Sequence, residues 1–234
     1  MKVFKVFKGI IALLPLVITA AVLPVMPETV PMHYNAEGAV DRMGSRYELL
    51  LMPLMIVLIA VVSALVMRHY AKRGEGPDDD RDAIAARTNL KTLQIISVAV
   101  PAIFGVLQLG ILYMTYRNAN AQDVAVNSDL IVRLTSILIG ILCIVMGNFM
   151  PKTAINNLFG VRMTWSMYNE NTWRRCNRFG GIVFVITGLL LIVTAAFVSA
   201  KAIALLMTGY LVADLAVIMI YAYKVYREEI AKQK

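Results

Sequence analysis

Charge is scarce in this chain: Asp, Glu, Lys and Arg make up only 16% of its 234 residues. A soluble domain normally carries about a quarter, so one water-exposed globule is excluded. Histidine is limited to His33 and His69, and cysteine to Cys143 and Cys176, with no CxxC spacing. That excludes a disulfide framework and a structural zinc site. GxSxG, HExxH and Walker-type glycine motifs are all absent, and the two histidines fall in loops predicted on opposite sides of a membrane. No enzyme, cofactor or metal is expected.

Hydrocarbon is what the chain has in excess: 59% of residues are hydrophobic and the mean hydropathy is +0.68. A helix needs about 20 apolar residues to cross a bilayer. Six stretches approach or reach that length, near Gly9–Met26, Leu49–Met67, Leu93–Met114, Leu130–Met150, Gly181–Ser199 and Ala202–Tyr223. The expected fold is an all-α integral membrane protein of about six transmembrane helices. The first stretch follows Lys2, Lys5 and Lys8 as a signal peptide would, but Leu23-Pro24-Val25 is a poor cleavage site, so it is taken as a retained span.

The net charge of +8 is mostly topological. Arg68, Lys72, Arg73, Arg81, Arg87, Lys91, Lys152, Arg162, Arg174, Arg175, Arg178, Lys224, Arg227, Lys232 and Lys234 fall on the same side as the N-terminal lysines, and only Arg42, Arg46, Arg117 and Lys201 on the other. By the positive-inside rule both termini are cytoplasmic. The basic residues lie between apolar segments and not on one soluble face, so direct nucleic-acid binding is not expected. The predicted organisation is a two-span hairpin over 1–70 with an extracellular loop at 27–46, a flexible cytoplasmic linker over 71–92, and a four-span region over 93–234 with a cytoplasmic loop at 151–180.

Three places carry polar residues that invite a function. In the extracellular loop, His33, Glu37 and Asp41 are four apart and on a helix would share a face suited to a metal. Pro31 and Gly38 oppose a helix, however, and Asn35-Ala36-Glu37-Gly38 reads as a turn, so a loop held by local hydrogen bonds is the preferred reading. Asp214 lies near the middle of the last span, where a carboxylate must face the bundle interior; it is either a proton or ligand site or a hydrogen-bonded packing residue. Arg133, near the outer end of the fourth span, is offset from Asp214 by an axial distance on the order of 10 Å, which strains a direct pair. The inner loop carries Trp165 and Trp173, eight apart, with Arg174, Arg175 and Arg178 able to reach lipid phosphates or an acidic protein. An interfacial helix anchored by tryptophan is the plainer reading, and a docking surface the sharper one.

The same inner stretch, from Gly147 to Gly181, resembles the signature of the SdpI-type immunity proteins. Gly147, Asn148, Pro151, Asn157, Gly160, Arg162, Trp165, Asn169, Trp173, Arg174, Gly180 and Gly181 match that pattern. Pro31, His33, Asn35, Gly38, Asp41 and Gly44 are similar to the short DUF1648-like domain often found at the N-terminus of that family. Met163 and Thr164 replace the usual Thr-Pro before Trp165, and Asn177 stands where a histidine is common. The resemblance implies a bacterial multi-pass membrane protein that protects against a secreted, membrane-active peptide toxin. It also implies a signalling role, in which a cytoplasmic transcriptional repressor is held at the membrane when toxin is present. Asn157, Gly160, Arg162, Trp165, Asn169, Trp173, Arg174 and Arg178 would then form the partner or signalling loop, and His33, Asn35, Glu37, Gly38 and Asp41 the toxin-side loop. The competing reading is a small proton-coupled transporter or exporter that uses Asp214. The oligomeric state is left open.

Overall fold

A computed structural model describes residues 2–34, 40–120 and 128–232. Six α-helices dominate it: α1 (Lys2–Val22), α2 (Leu51–Arg73), α3 (Arg81–Asn120), α4 (Ser128–Phe149), α5 (Glu170–Phe197) and α6 (Ala200–Ala231). All six are long and apolar enough to cross a membrane. Large apolar side chains such as Leu13, Val17, Leu58, Leu189, Leu205 and Ile220 point away from the bundle, as expected where lipid replaces water as the surrounding medium.

Between α1 and α2 the chain forms a short antiparallel hairpin, β1 (Thr29–Tyr34) and β2 (Val40–Ser45). The expected loop is therefore locally hydrogen-bonded, but as strands. The register pairs Val30 with Gly44 and His33 with Arg42, with irregularities on either side of His33. Val30 is fully buried against Leu23, Met26, Leu49 and Leu112, which fixes the hairpin to the end of the bundle. Ser45 and Glu48 then form a capping box at the turn into α2, and Arg42 bonds Glu48 at 2.6 Å. Gly44 is required there, because a Cβ would lie 2.3 Å from the Glu48 carboxylate.

Two boundaries differ from those expected. α3 begins at Arg81, so much of the 71–92 linker is helix, and α2 supplies its first residues. The remaining turn is tied down by Arg87, whose guanidinium donates to the carbonyls of Gly74 and Gly76 and pairs with Asp78 at 2.5 Å. α3 packs along α1 and α2 as well as α4. At the other boundary α5 starts at Glu170, eleven residues before the apolar run, and takes in the last third of the expected 151–180 loop.

A buried amide joins the first three helices. Gln108 on α3, 1% exposed, donates to Thr19 Oγ1 of α1 at 3.1 Å and to the Leu49 carbonyl at 3.0 Å. Thr19 in turn donates its hydroxyl to the Pro15 carbonyl one turn earlier in α1, at 2.7 Å. α4 and α5 meet along an antiparallel seam of small and polar residues. Arg133 donates to the Ala195 carbonyl, Ser136 donates to that of Leu191 at 3.0 Å, and Gly140 and Gly147 lie against the carbonyls of Gly188 and Gly181. Glycines at these crossings let the backbones approach, the usual way helices associate in lipid.

Candidate functional site

The segment between α4 and α5 is irregular in backbone yet densely bonded. After Phe149 a 3-10 turn, Met150–Lys152, ends the helix with Pro151 in its first turn. Asn156 then acts as the hub of a tight turn: its side-chain oxygen accepts from the N–H groups of Leu158 and Phe159, both at 2.8 Å, and its amide donates to the carbonyls of Ala154 and Phe159. All four hydrogen-bonding positions of that amide are used. Gly160 follows at φ +114°, a conformation that other residues rarely adopt.

Asn177 of α5 closes the loop onto the helix. Its oxygen accepts the Val161 N–H at 2.8 Å while its nitrogen donates to the Trp173 carbonyl at 3.0 Å, and the side chain is fully buried. A Cβ on Gly160 would come within 2.3 Å of the Asn177 oxygen, so a side chain at position 160 would press on this clasp as well as strain the backbone. The departure from histidine at position 177 is thus a structural clasp in this chain. Trp173, 2% exposed, donates from its indole nitrogen to the Thr153 carbonyl at 2.8 Å. Ser166 donates to the Val161 carbonyl and accepts from the Met163 N–H. Asn169 caps α5 in a reciprocal box with Thr172.

This segment leans on two further helices. Asn89 of α3 accepts the Ala154 N–H at 3.0 Å. Glu229, near the end of α6, accepts from Asn169 at 3.0 Å and Asn171 at 2.8 Å, and Glu228 pairs with Arg175 at 2.7 Å. Trp165 and Tyr168 meet Tyr223 and Tyr226 edge to face at 5.0 and 5.2 Å.

Of the eight residues expected in the inner loop, Gly160, Asn169 and Trp173 form the folded frame just described. Asn157 and Arg162 lie at its exposed edge, where the Arg162 guanidinium donates to the Asn157 carbonyl. Trp165 is half-buried in irregular backbone and Trp173 is on α5, so the two do not share a face of one interfacial helix. Arg174 and Arg178 project from α5 into solvent beside Pro151. Asn89, Asn156, Ser166 and Glu229 were not anticipated.

At the opposite end of α3 stand the hairpin residues. Asn89 and Leu112 are 23 positions apart, or about 35 Å of helix, close to the thickness of a bilayer core. His33 Nδ1 lies 2.6 Å from Asp41 Oδ1, an exposed cross-strand pair. Asn35, Glu37 and Gly38 lie outside the described residues. Among the described residues no cluster of three or more metal-binding side chains occurs.

Asp214 is inside the bundle, as expected for an intramembrane acid. Thr187 of α5 donates to its Oδ1 at 2.8 Å, and its Oδ2 is buried without a partner. Arg133 is engaged elsewhere, at the Ala195 carbonyl and, at 4.0 Å, Asp129.

Six lipid-facing helices with polar residues turned inward define a multi-pass membrane protein. Residues 152–222 match the SdpI/YfhL protein family, and residues 10–57 match a domain of unknown function, DUF1648. The SdpI/YfhL match thus follows the DUF1648 match along the chain, the two-part arrangement its motifs resemble. It is 32% identical over 103 residues to the immunity protein SdpI of Bacillus subtilis (strain 168), a match that covers 44% of this chain. The matched stretch spans 48% of that protein, about half its length. No solved structure matches the chain.

Proposed function

We propose that this protein confers immunity against a secreted, membrane-active peptide toxin, without catalysis. The observation that carries the reading is the coincidence of the SdpI/YfhL match with the irregular segment between α4 and α5, which three helices fold around. The asymmetry of Lys and Arg supports an orientation with both termini and the 153–169 segment in the cytoplasm and the β-hairpin outside. The hairpin is then the first part a toxin meets, and the exposed Asn157–Arg162 edge is the surface that a cytoplasmic repressor would read. Signalling of this kind requires two packings of the bundle and a toxin that prefers one of them. The test is survival of a toxin-sensitive bacterium, with and without the protein, under a membrane-active peptide of the Sdp type. Protection supports immunity, and its absence from cells with normal amounts of protein in the membrane rejects it for that toxin. Arg162→Ala and Trp165→Ala proteins that reach the membrane and still protect fully would remove the inner segment from the mechanism.

A second reading, a proton-coupled exporter, draws support from one feature, the buried and unpartnered Oδ2 of Asp214. It predicts pH-dependent efflux of toxin from vesicles.

A further inference from the structure

The α5 start carries a basic cluster to which neither reading assigns a small ligand. Asn171, Arg174, Arg175 and Arg178 recur at helical spacing on one side of α5. With Pro151 from the turn after α4 they line an open concavity of about 480 Å³. Three arginines contribute to its lining. Arg175 has a carboxylate partner in Glu228, whereas Arg174 and Arg178 meet no carboxylate among the described residues. Positive charges sharing one lining favour an anion that binds among them. Three guanidiniums offer many more N–H donors than Glu228 can satisfy.

Position selects the anion. Arg178 precedes Gly181, where the apolar run of α5 begins, by three residues, or about 5 Å along the helix. The concavity therefore opens at headgroup depth, with Trp173 packed behind it and hydrocarbon directly beyond. A planar guanidinium fork suits phosphate oxygens, and basic pockets at helix ends in membranes take acidic headgroups.

We infer that the concavity formed by Pro151, Asn171, Arg174, Arg175 and Arg178 is a binding site for the phosphate of an anionic phospholipid headgroup. The site is independent of the immunity reading: it concerns the bilayer and not the toxin. Filled, it joins the end of α4 to the start of α5 through a ligand and shields charge that Glu228 only partly offsets.

The experiment uses the full-length protein in nanodiscs of phosphatidylcholine with a minority of phosphatidylglycerol, released for native mass spectrometry. Retained phosphatidylglycerol is compared among the wild type, an Arg174→Gln/Arg178→Gln variant and an Arg81→Gln control, with the thermal transition of each measured in phosphatidylcholine alone. The expected result is retention about tenfold lower in the double variant and unchanged in the control, with unshifted transitions in phosphatidylcholine. Equal retention by wild type and double variant overturns the proposal, as does an equal loss in the control, which would mean bulk charge. Inorganic phosphate is added as a separate arm. If it displaces the lipid and raises the transition through the same two arginines, the ligand is a free anion and the lipid assignment fails; if it does neither, the headgroup assignment stands. The single variants Arg174→Lys and Arg178→Lys are expected to keep part of the wild-type retention, since Lys keeps the charge without the fork.

Discussion

Gly147 and Gly181 touch backbone to backbone: a Cβ built on either would fall 2.5 Å from the carbonyl oxygen of the other. Gly140 and Gly188 repeat the relationship seven residues away on each helix, at 2.7 and 2.4 Å. Spacing by seven keeps both crossings on one face of each helix.

Gly181→Val should therefore force α4 and α5 apart and destabilise the protein by about 1–3 kcal/mol. Gly209→Ala is the matching control, since nothing lies within 4 Å of its Cβ position. That change should be neutral or slightly stabilising by helix propensity. Thermal unfolding in detergent or nanodiscs separates the two.

Removing the loop clasp should be costly in a different way. Asn177→Ala leaves the buried Val161 N–H without its acceptor, for a loss of about 1–3 kcal/mol. Gly160→Ala adds strain from its positive φ and a clash with Asn177. Combining the two relieves the clash but not the strain, so the double variant should lose less than the sum. A thermal-stability cycle over the four proteins checks this.

Gln108→Leu removes both donors that reach α1 and the Leu49 carbonyl. Interhelical hydrogen bonds in lipid are modest, and a loss of about 0.6–2 kcal/mol is expected. The effect should appear as faster proteolysis of the hairpin end in the folded, membrane-embedded protein, with cleavage after α5 unchanged.

Asp214→Asn keeps an oxygen to accept from Thr187 and removes the acid. Under the immunity reading, protection should be retained at every external pH tested. A loss of protection together with a loss of pH-dependent efflux would transfer the assignment to the exporter.

The spans were legible because hydrocarbon runs of bilayer length have few alternative readings. Their ends were harder to place. α5 reaches back to Glu170 through Trp173, Arg174 and Arg175, where composition resembles a loop; what makes it helix is the Asn169 cap and the tie to Glu229, a contact 60 residues away in sequence. The strands at Thr29–Tyr34 and Val40–Ser45 were missed because no clean alternation marks them and their apolar anchor is essentially Val30 alone. Gln108 was readable in principle, as an amide within an otherwise apolar stretch is the kind of residue that must find a partner in lipid. Glu229 and Asn89 were not, since exposed-looking polar residues near helix ends acquire meaning only through tertiary contact. The motif residues Gly160 and Trp173 were visible as a pattern, but their roles as turn and wedge emerged only with the fold.

The glycine seam also limits how the molecule can change shape. Sliding α4 along α5 would carry Gly140 and Gly147 off their carbonyls and drive Ile144, Phe184 or Val185 into backbone. The pair behaves as a single plank. α6 is fastened to that plank by Asp214 to Thr187 along the helix, by Glu228 and Glu229 at one end, and by the apolar contacts of Ile218, Ala222 and Val225 between them.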